Sequence, residues 1–306
     1  MHCLHKLSTR TLAVLVAGYL LLFLSALHCY DRRLFQNAEC SADAMQRDMY
    51  GADMNASSCH ANVVVASLAN DYIDGDLVTR SIRNKETYAE HWGLHVEIVA
   101  HDNFARFAWT GAEVKQAKFA FVESLLQQYK VVFWVDIDAV ITRMDIDLCV
   151  LLDEMTRRDK YIAMASDASM DGVLNSGVFL IRRGVGTSAF LAEFANAHAV
   201  VEACRSSMTC PPAVYDQNVI GYLADIWPRC FNCVGLWPLA PVHANAEQFR
   251  ALFYEVPRCL FNTVPETANQ FTFVTHCYGG GLLDLLSPLS RRKRRGKQAC
   301  MSQLLV

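Results

Sequence analysis

From about residue 60 onward, short runs of consecutive apolar residues alternate with longer segments whose apolar positions return every three or four residues. Asn62-Val-Val-Val-Ala-Ser-Leu68 predicts a buried central strand, and a helix-period segment follows from about Asp76 to Trp92, stopped by Gly93. A second strand is expected at His95-Val-Glu-Ile-Val99 and an amphipathic helix from about Ala112 to Tyr129. That helix leads into Val131-Val-Phe-Trp-Val-Asp-Ile-Asp-Ala-Val-Ile-Thr142, read as a buried strand with acids at its C-terminal end. The order βαβαβ implies an α/β domain with a mainly parallel sheet and helices on both faces, and such sheets bind ligands beyond the strand C-termini. Downstream, strands are expected at Tyr161-Ile-Ala-Met-Ala165, within Leu174–Arg182 and at Phe271-Thr-Phe-Val-Thr-His276. A helix is expected from about Thr187 to Ala203, and a helical turn around Tyr215–Ile220.

A different pattern occupies the N-terminus. Leu12 to Leu27 is apolar or small throughout and no charge appears until Asp31, a length close to the roughly 20 residues a helix needs to cross a bilayer. The run exceeds the h-region of a usual signal peptide and no clean cleavage site follows it, so an uncleaved anchor at 11–30 is expected over a cleaved leader. Basic residues flank both ends, so charge hardly orients it. Cysteine content does. Twelve cysteines, ten of them after residue 30, suit an oxidising lumen. Asn55-Ala-Ser57 adds a glycosylation sequon in the stem. The organisation that follows is a cytosolic tail at 1–10, an anchor at 11–30, a luminal stem at 31–60, a catalytic domain at 61–287 and a basic tail at 288–306.

Net charge is only −3, which gives no sign of a nucleic-acid partner. The one strongly basic run, Arg291-Arg-Lys-Arg-Arg295, reads as a solvated terminus or as a processing or retention signal. No Gly-x-Gly-x-x-Gly or Gly-Lys-Ser/Thr loop is present, so dinucleotide and P-loop chemistry have no support, and Gly279-Gly-Gly281 is a loop signal only. Cys230-Phe-Asn-Cys233 lacks a second half for a zinc site and is read as disulfide-forming.

Candidate chemistry concentrates on Asp136 and Asp138. In a strand, side chains at i and i+2 share a face, so the two acids can share a hard divalent cation and hold a diphosphate against it. An ordinary acidic loop has the same pattern. His276, also just past a predicted strand, would complete a two-carboxylate, one-imidazole set suited to Mn²⁺. The second Asp-x-Asp, Asp145 and Asp147, has no strand before it and reads as a capped helix start; Asp216 has the N-cap reading too, and Asn175-Ser176-Gly177 that of a turn.

Taken together in chain order, these segments resemble one family: the fungal Golgi α-galactosyl- and α-mannosyltransferases with the plant xyloglucan xylosyltransferases. Asn84-Lys-Glu-Thr-Tyr-Ala-Glu-His-Trp-Gly93 is similar to its Asn-x-x-x-Tyr-Ala-x-x-x-Gly helix, Lys118 to its helix lysine, and Trp134–Ile141 to its metal motif. Leu174–Arg182, Asp216-Gln217 and Val274-Thr-His276 follow the same pattern. The resemblance spans most of Asn62 to Gly281 and implies a GT-A fold and a metal-dependent retaining transferase of the Golgi or ER lumen, type II in the membrane. It further implies a UDP- or GDP-sugar donor of the galactose, mannose or xylose class and a glycan hydroxyl as acceptor. By the same resemblance Asp136, Asp138 and His276 would bind Mn²⁺. Lys118, Asp136, Asn175, Ser176 and Gly177 would contact the donor, and Asp216 and Gln217 would lie beside the anomeric carbon. The family's lysine after the histidine has no counterpart here, where Cys277-Tyr-Gly-Gly-Gly281 follows. Two other readings stay open: an aspartyl-phosphate phosphatase, because Asp136-Ile-Asp138-Ala-Val140 also fits a phosphatase nucleophile motif, and a membrane-tethered glycan-binding relative without turnover.

Overall fold

The computed structural model describes residues 59–69, 75–99, 114–167, 174–206, 216–226, 243–264, 268, 272–277 and 300–305. The expected anchor at 11–30, Asn55, Cys230 and Cys233, Gly279–Gly281 and the basic run at 291–295 lie outside these residues. Among the described residues no helix is long and apolar enough to cross a membrane.

The predicted alternation is present as β1 (Val63–Leu68), α1 (Gly75–Trp92), β2 (His95–Val99), α2 (Val114–Gln128) and β3 (Val131–Val135). Then come β4 (Ala139–Ile141), α3 (Leu148–Arg157), β5 (Ile162–Ser166), β6 (Leu174–Arg182), α4 (Val185–Ser206) and α5 (Asp216–Ala224). After these come α6 (Ala246–Leu252), β7 (Phe253–Val256), α7 (Arg258–Phe261) and β8 (Val274–His276). Six strands form one sheet in the order β2-β1-β3-β6-β5-β7, while β4 and β8 pair separately.

Alternation along each strand divides the core into two layers. Val64, Ala66, Val132, Trp134, Phe179 and Ile181 face one side, against Phe119, Phe121 and Val122 of α2, Phe190 and Phe194 of α4, and Val219 and Ile220 of α5. Val63, Val65, Val131, Phe133, Val178 and Leu180 face the other, against Tyr88 of α1, Leu148 and Leu151 of α3, and Leu260 and Phe261 of α7. Both faces of the central strands are thus covered, which is why they read as continuous apolar runs rather than alternating ones.

The sheet is mostly parallel, as expected, but β6 runs antiparallel to both β3 and β5. The link from β5 to β6 spans only residues 167–173, too short for the helical crossover that a parallel neighbour needs. The expected single strand over 131–142 is broken: the Asp-x-Asp lies in a turn between β3 and β4, so neither acid is a strand residue. The last expected strand is also shorter than its apolar run, because Phe273 gives its N–H to Cys259 O and its carbonyl to Thr142 outside the β4–β8 ladder. Asp147 is the N-cap of α3, its carboxylate accepting from Cys149 N–H at 2.8 Å, and Asp145 instead pairs with Arg143. Disulfides join Cys59 to Cys149 and Cys277 to Cys300, and Cys259 is disulfide-bonded as well.

Candidate active site

Strand register brings the site together. β3 and β6 pair up to Val135 opposite Val178, and the ladder continues one step as Asp136 N–H donates to Gly177 O at 2.7 Å. This sets Asp136 against the Asn175-Ser176-Gly177 segment. On the far side of the turn, β4 pairs with β8 so that Ala139 lies opposite His276, and Cys277 N–H donates to Asp138 O at 2.8 Å. Residues more than a hundred positions apart in sequence are therefore neighbours because two short ladders share one turn.

Asp136, Asp138 and His276 offer ligand atoms that all lie within 4.8 Å of one another. Asp138 and His276 are buried and Asp136 is half-buried, open to an incoming group. The chemistry of this donor set can be tested through Asn262. Its Nδ2 donates to Ser166 O at 3.0 Å, so its Oδ1 faces His276 Nδ1 at 3.2 Å and accepts a hydrogen bond from the Nδ1–H. In the Nδ1–H tautomer held in this way the lone pair of Nε2 is turned toward Asp138 Oδ1, 3.3 Å away. Two acceptors face each other there, and either a proton on Nε2 or a divalent cation satisfies them. The residues fit a metal, with Asn262 in the outer role that commonly fixes the tautomer of a metal-bound histidine.

Gly177 leaves room for this ring. A Cβ at that position would fall on His276 Cε1 and lie 2.8 Å from Nδ1 and 2.9 Å from Asn175 Oδ1.

Lys118 supplies the positive charge. From α2 its Nζ contacts Asp136 Oδ1 at 3.1 Å, Asp216 Oδ2 at 2.9 Å and Ser176 O at 2.9 Å, and it sits 5.6 Å from the centroid of Trp134. Burial alone would depress its ammonium, but the Asp136 and Asp216 charges and hydrogen bonds outweigh it and hold the group well above the usual lysine range. Trp134 Nε1–H donates to Asp136 Oδ1 at 2.6 Å, which also orients that carboxylate. Ser176 Oγ donates to Asp216 Oδ2 at 2.6 Å, and Asn175 Oδ1 accepts from Gly177 N–H at 2.8 Å. Every site residue expected from the sequence, apart from Asn55, thus falls in one connected network with Gln217 at its edge.

Three residues around this network were not expected from the sequence. Asp167, at the end of β5, is buried and accepts from both Asn175 Nδ2 at 2.8 Å and Gln217 Nε2 at 3.1 Å. Asn262 is the second. The third is Lys85, which stands inside the quoted α1 motif and is completely buried, donating to Ser81 Oγ at 2.7 Å and Ala139 O at 2.9 Å. Burial pulls its ammonium down to about 7, with Asp138 and Asp136 offsetting part of the effect.

Lys85 belongs to a row. Ser81, Asn84, Lys85, Tyr88 and Trp92 follow helical spacing along α1, and each addresses the backbone of the segment 137–146 that follows Asp136. Ser81 Oγ donates to Ile137 O at 2.7 Å, Lys85 to Ala139 O, and Asn84 makes a two-way pair with Ile141 N–H and O at 2.9 Å each. Trp92 Nε1 donates to Met144 O at 2.9 Å and Tyr88 Oη to Ile146 O at 2.7 Å.

Residues 61–171 match the model of the galactosyl transferase GMA12/MNN10 family. No curated protein sequence matches the chain significantly. Among solved structures, a glycosyltransferase involved in the glycosylation of the major capsid of PBCV-1 superposes with a TM-score of 0.43 at 10% identity, covering 79% of this chain and 98% of that one. A197 from STIV superposes with a TM-score of 0.27 at 10% identity, covering 43% and 67%. The family match covers β1 through β5, including Lys118, Asp136 and Asp138. It is the family that the sequence motifs resemble, and the match is to a family of glycosyltransferases over 61–171.

Proposed function

We propose that this chain is a metal-dependent, retaining GT-A glycosyltransferase of the Golgi or ER lumen, held by an anchor at 11–30 and using a UDP- or GDP-sugar of the galactose, mannose or xylose class on a glycan hydroxyl. The observation that carries this is the meeting of Asp136, Asp138 and His276 within 4.8 Å beside the Lys118 ammonium. Asp136, Asp138 and His276 would hold Mn²⁺, which when bound supplies neutralisation of a diphosphate leaving group. Lys118 keeps its proton, so it serves as a fixed positive charge toward donor phosphate and not as a base. Asn175, Ser176 and Gly177 shape the floor of the donor-sugar pocket through their bonds to Asp167, Asp216 and the strand backbone. Asp216 is engaged by Lys118 and Ser176, and the Gln217 amide is the group that steadies positive charge developing at the anomeric carbon.

The test is release of sugar from UDP-galactose, UDP-xylose and GDP-mannose by the full chain purified in detergent with Mn²⁺. Turnover of one donor, dependent on Mn²⁺ and lowered by about a hundredfold or more in Asp138→Ala, is expected. All three donors left intact would sink the transferase activity. Glycan binding under those conditions would instead support the inactive relative, which the missing lysine after His276 favours, and metal-dependent hydrolysis of a phosphomonoester would support the phosphatase.

A further inference from the structure

Asp167 and Gln217 define a question of orientation. A glutamine amide has donors at one end and an acceptor at the other, and the two ends are almost the same size. Which end faces a substrate is decided by what holds the other. Gln217, at the start of α5, gives its Nε2 to Asp167 Oδ2 at 3.1 Å. A carboxylate oxygen only accepts, so the amide cannot turn over without opposing two acceptors.

The anchor is itself rigid. Asp167 is 4% exposed and the same oxygen accepts from Asn175 Nδ2 at 2.8 Å. Asn175 is locked at its other end, because its Oδ1 accepts from Gly177 N–H within β6. The order of fixation runs from strand backbone to Asn175, to Asp167, to Gln217.

We propose that Asp167 is a positioning residue that holds the Gln217 amide with Oε1, and not its N–H groups, presented to the donor sugar. This rests on the reading of Gln217 as the group beside the anomeric carbon. An oxygen there stabilises developing positive charge, whereas an inverted amide would direct two partly positive hydrogens at it. The role is one of electrostatic sign rather than of shape.

The test exploits symmetry. A carboxylate has an oxygen at both ends, so Gln217→Glu presents an oxygen to the sugar whichever way it turns, although beside an intact Asp167 its other oxygen opposes Asp167 Oδ2. With the full chain in detergent, Mn²⁺ and whichever of UDP-galactose, UDP-xylose or GDP-mannose the wild type consumes, Asp167→Leu should lower kcat by about tenfold or more. Its donor KM and calorimetric Mn²⁺ affinity should stay within about threefold. Introduced on the Gln217→Glu background, the same Asp167→Leu change should leave kcat within about threefold or raise it, because it also removes the carboxylate facing Glu. Equal losses in the two backgrounds, or a loss confined to KM, would overturn the proposal, because a merely structural contribution is indifferent to the symmetry of residue 217. If Asp167→Leu fails to accumulate as folded chain, Asp167→Ser, whose hydroxyl is too short to reach Gln217, replaces it in both backgrounds. A wild type silent on all three donors refutes the transferase reading itself, and with it this role, and is seen before any variant is compared.

Discussion

Replacing Lys85 by methionine should abolish a specific dependence of stability on pH. The ammonium is fully buried beneath the turn that carries Asp136 and Asp138, and burial lowers it from 10.5 to about 7. Above pH 10.5 the group is neutral in both folded and unfolded chains and contributes no pH dependence. Between those limits the unfolded chain binds the proton and the folded chain does not, so folding is progressively disfavoured as pH falls. Below about 7 both forms are protonated and the penalty is constant. Each pH unit inside the window is worth up to about 1.4 kcal/mol, for a total near 5 kcal/mol, of which about 2 kcal/mol falls between pH 7 and 9. The assay is urea unfolding of the full chain in detergent with metal chelated, at pH 7, 8 and 9, for wild type and Lys85→Met. Methionine also gives up the bonds to Ser81 and Ala139, which shifts its curve by a constant, so the informative quantity is the slope. Wild type should gain about 2 kcal/mol relative to Lys85→Met across this range. Two parallel curves would refute the assignment of a suppressed proton to Lys85.

Three other outcomes are expected. Gly177→Ala drives a methyl into the His276 ring and should weaken calorimetric Mn²⁺ binding by about tenfold or more while costing about 1–3 kcal/mol of stability; unchanged Mn²⁺ affinity would mean the ring is not a ligand. Asn262→Leu frees the tautomer of His276 and should lower Mn²⁺ affinity by about 10–100-fold with Asp136 and Asp138 untouched, whereas an effect on thermal stability alone would assign Asn262 to packing. Lys118→Met leaves Asp136 and Asp216 without their shared cation and should destabilise the fold by about 3–5 kcal/mol in urea unfolding, with a loss under 1 kcal/mol contradicting the pairing.

What could be read from the sequence followed from local pattern. The apolar runs at 63–68 and 131–135 and the helical periodicity between them are properties of contiguous residues, and they located Asp136 and Asp138 at a sheet edge. Lys118, Asp216, Gln217 and His276 came from motif order instead, since no local feature joins residues so far apart. Asp167 was missed because a single acid after Ile162–Ser166 looks like any loop acid; only the β5–β6 pairing and the placement of α5 bring Asn175 and Gln217 to it. Asn262 was missed for a similar reason, as it ends a four-residue helix in a stretch without strong periodicity, where α6, β7 and α7 also escaped notice. The division of 131–142 into β3, a turn and β4 was hidden by composition: Ile137, Ala139, Val140 and Ile141 are as apolar as a strand, but Ile137 lies in the turn and the other three pair with β8 and not with the main sheet.

The row of donors on α1 acts as a gauge of chain length. Ser81, Asn84, Lys85, Tyr88 and Trp92 grip carbonyl oxygens of residues 137, 141, 139, 146 and 144, and every amino acid has such an oxygen. Their hold is blind to side-chain identity. It is not blind to spacing, because one inserted residue advances an extended chain by about 3.3 Å, more than a hydrogen bond can follow. Exchange of either carboxylate therefore leaves these α1 bonds in place. An insertion or deletion anywhere between 137 and 146 would disengage the support while leaving both acids in the sequence, so a chain can retain the motif and lose the site.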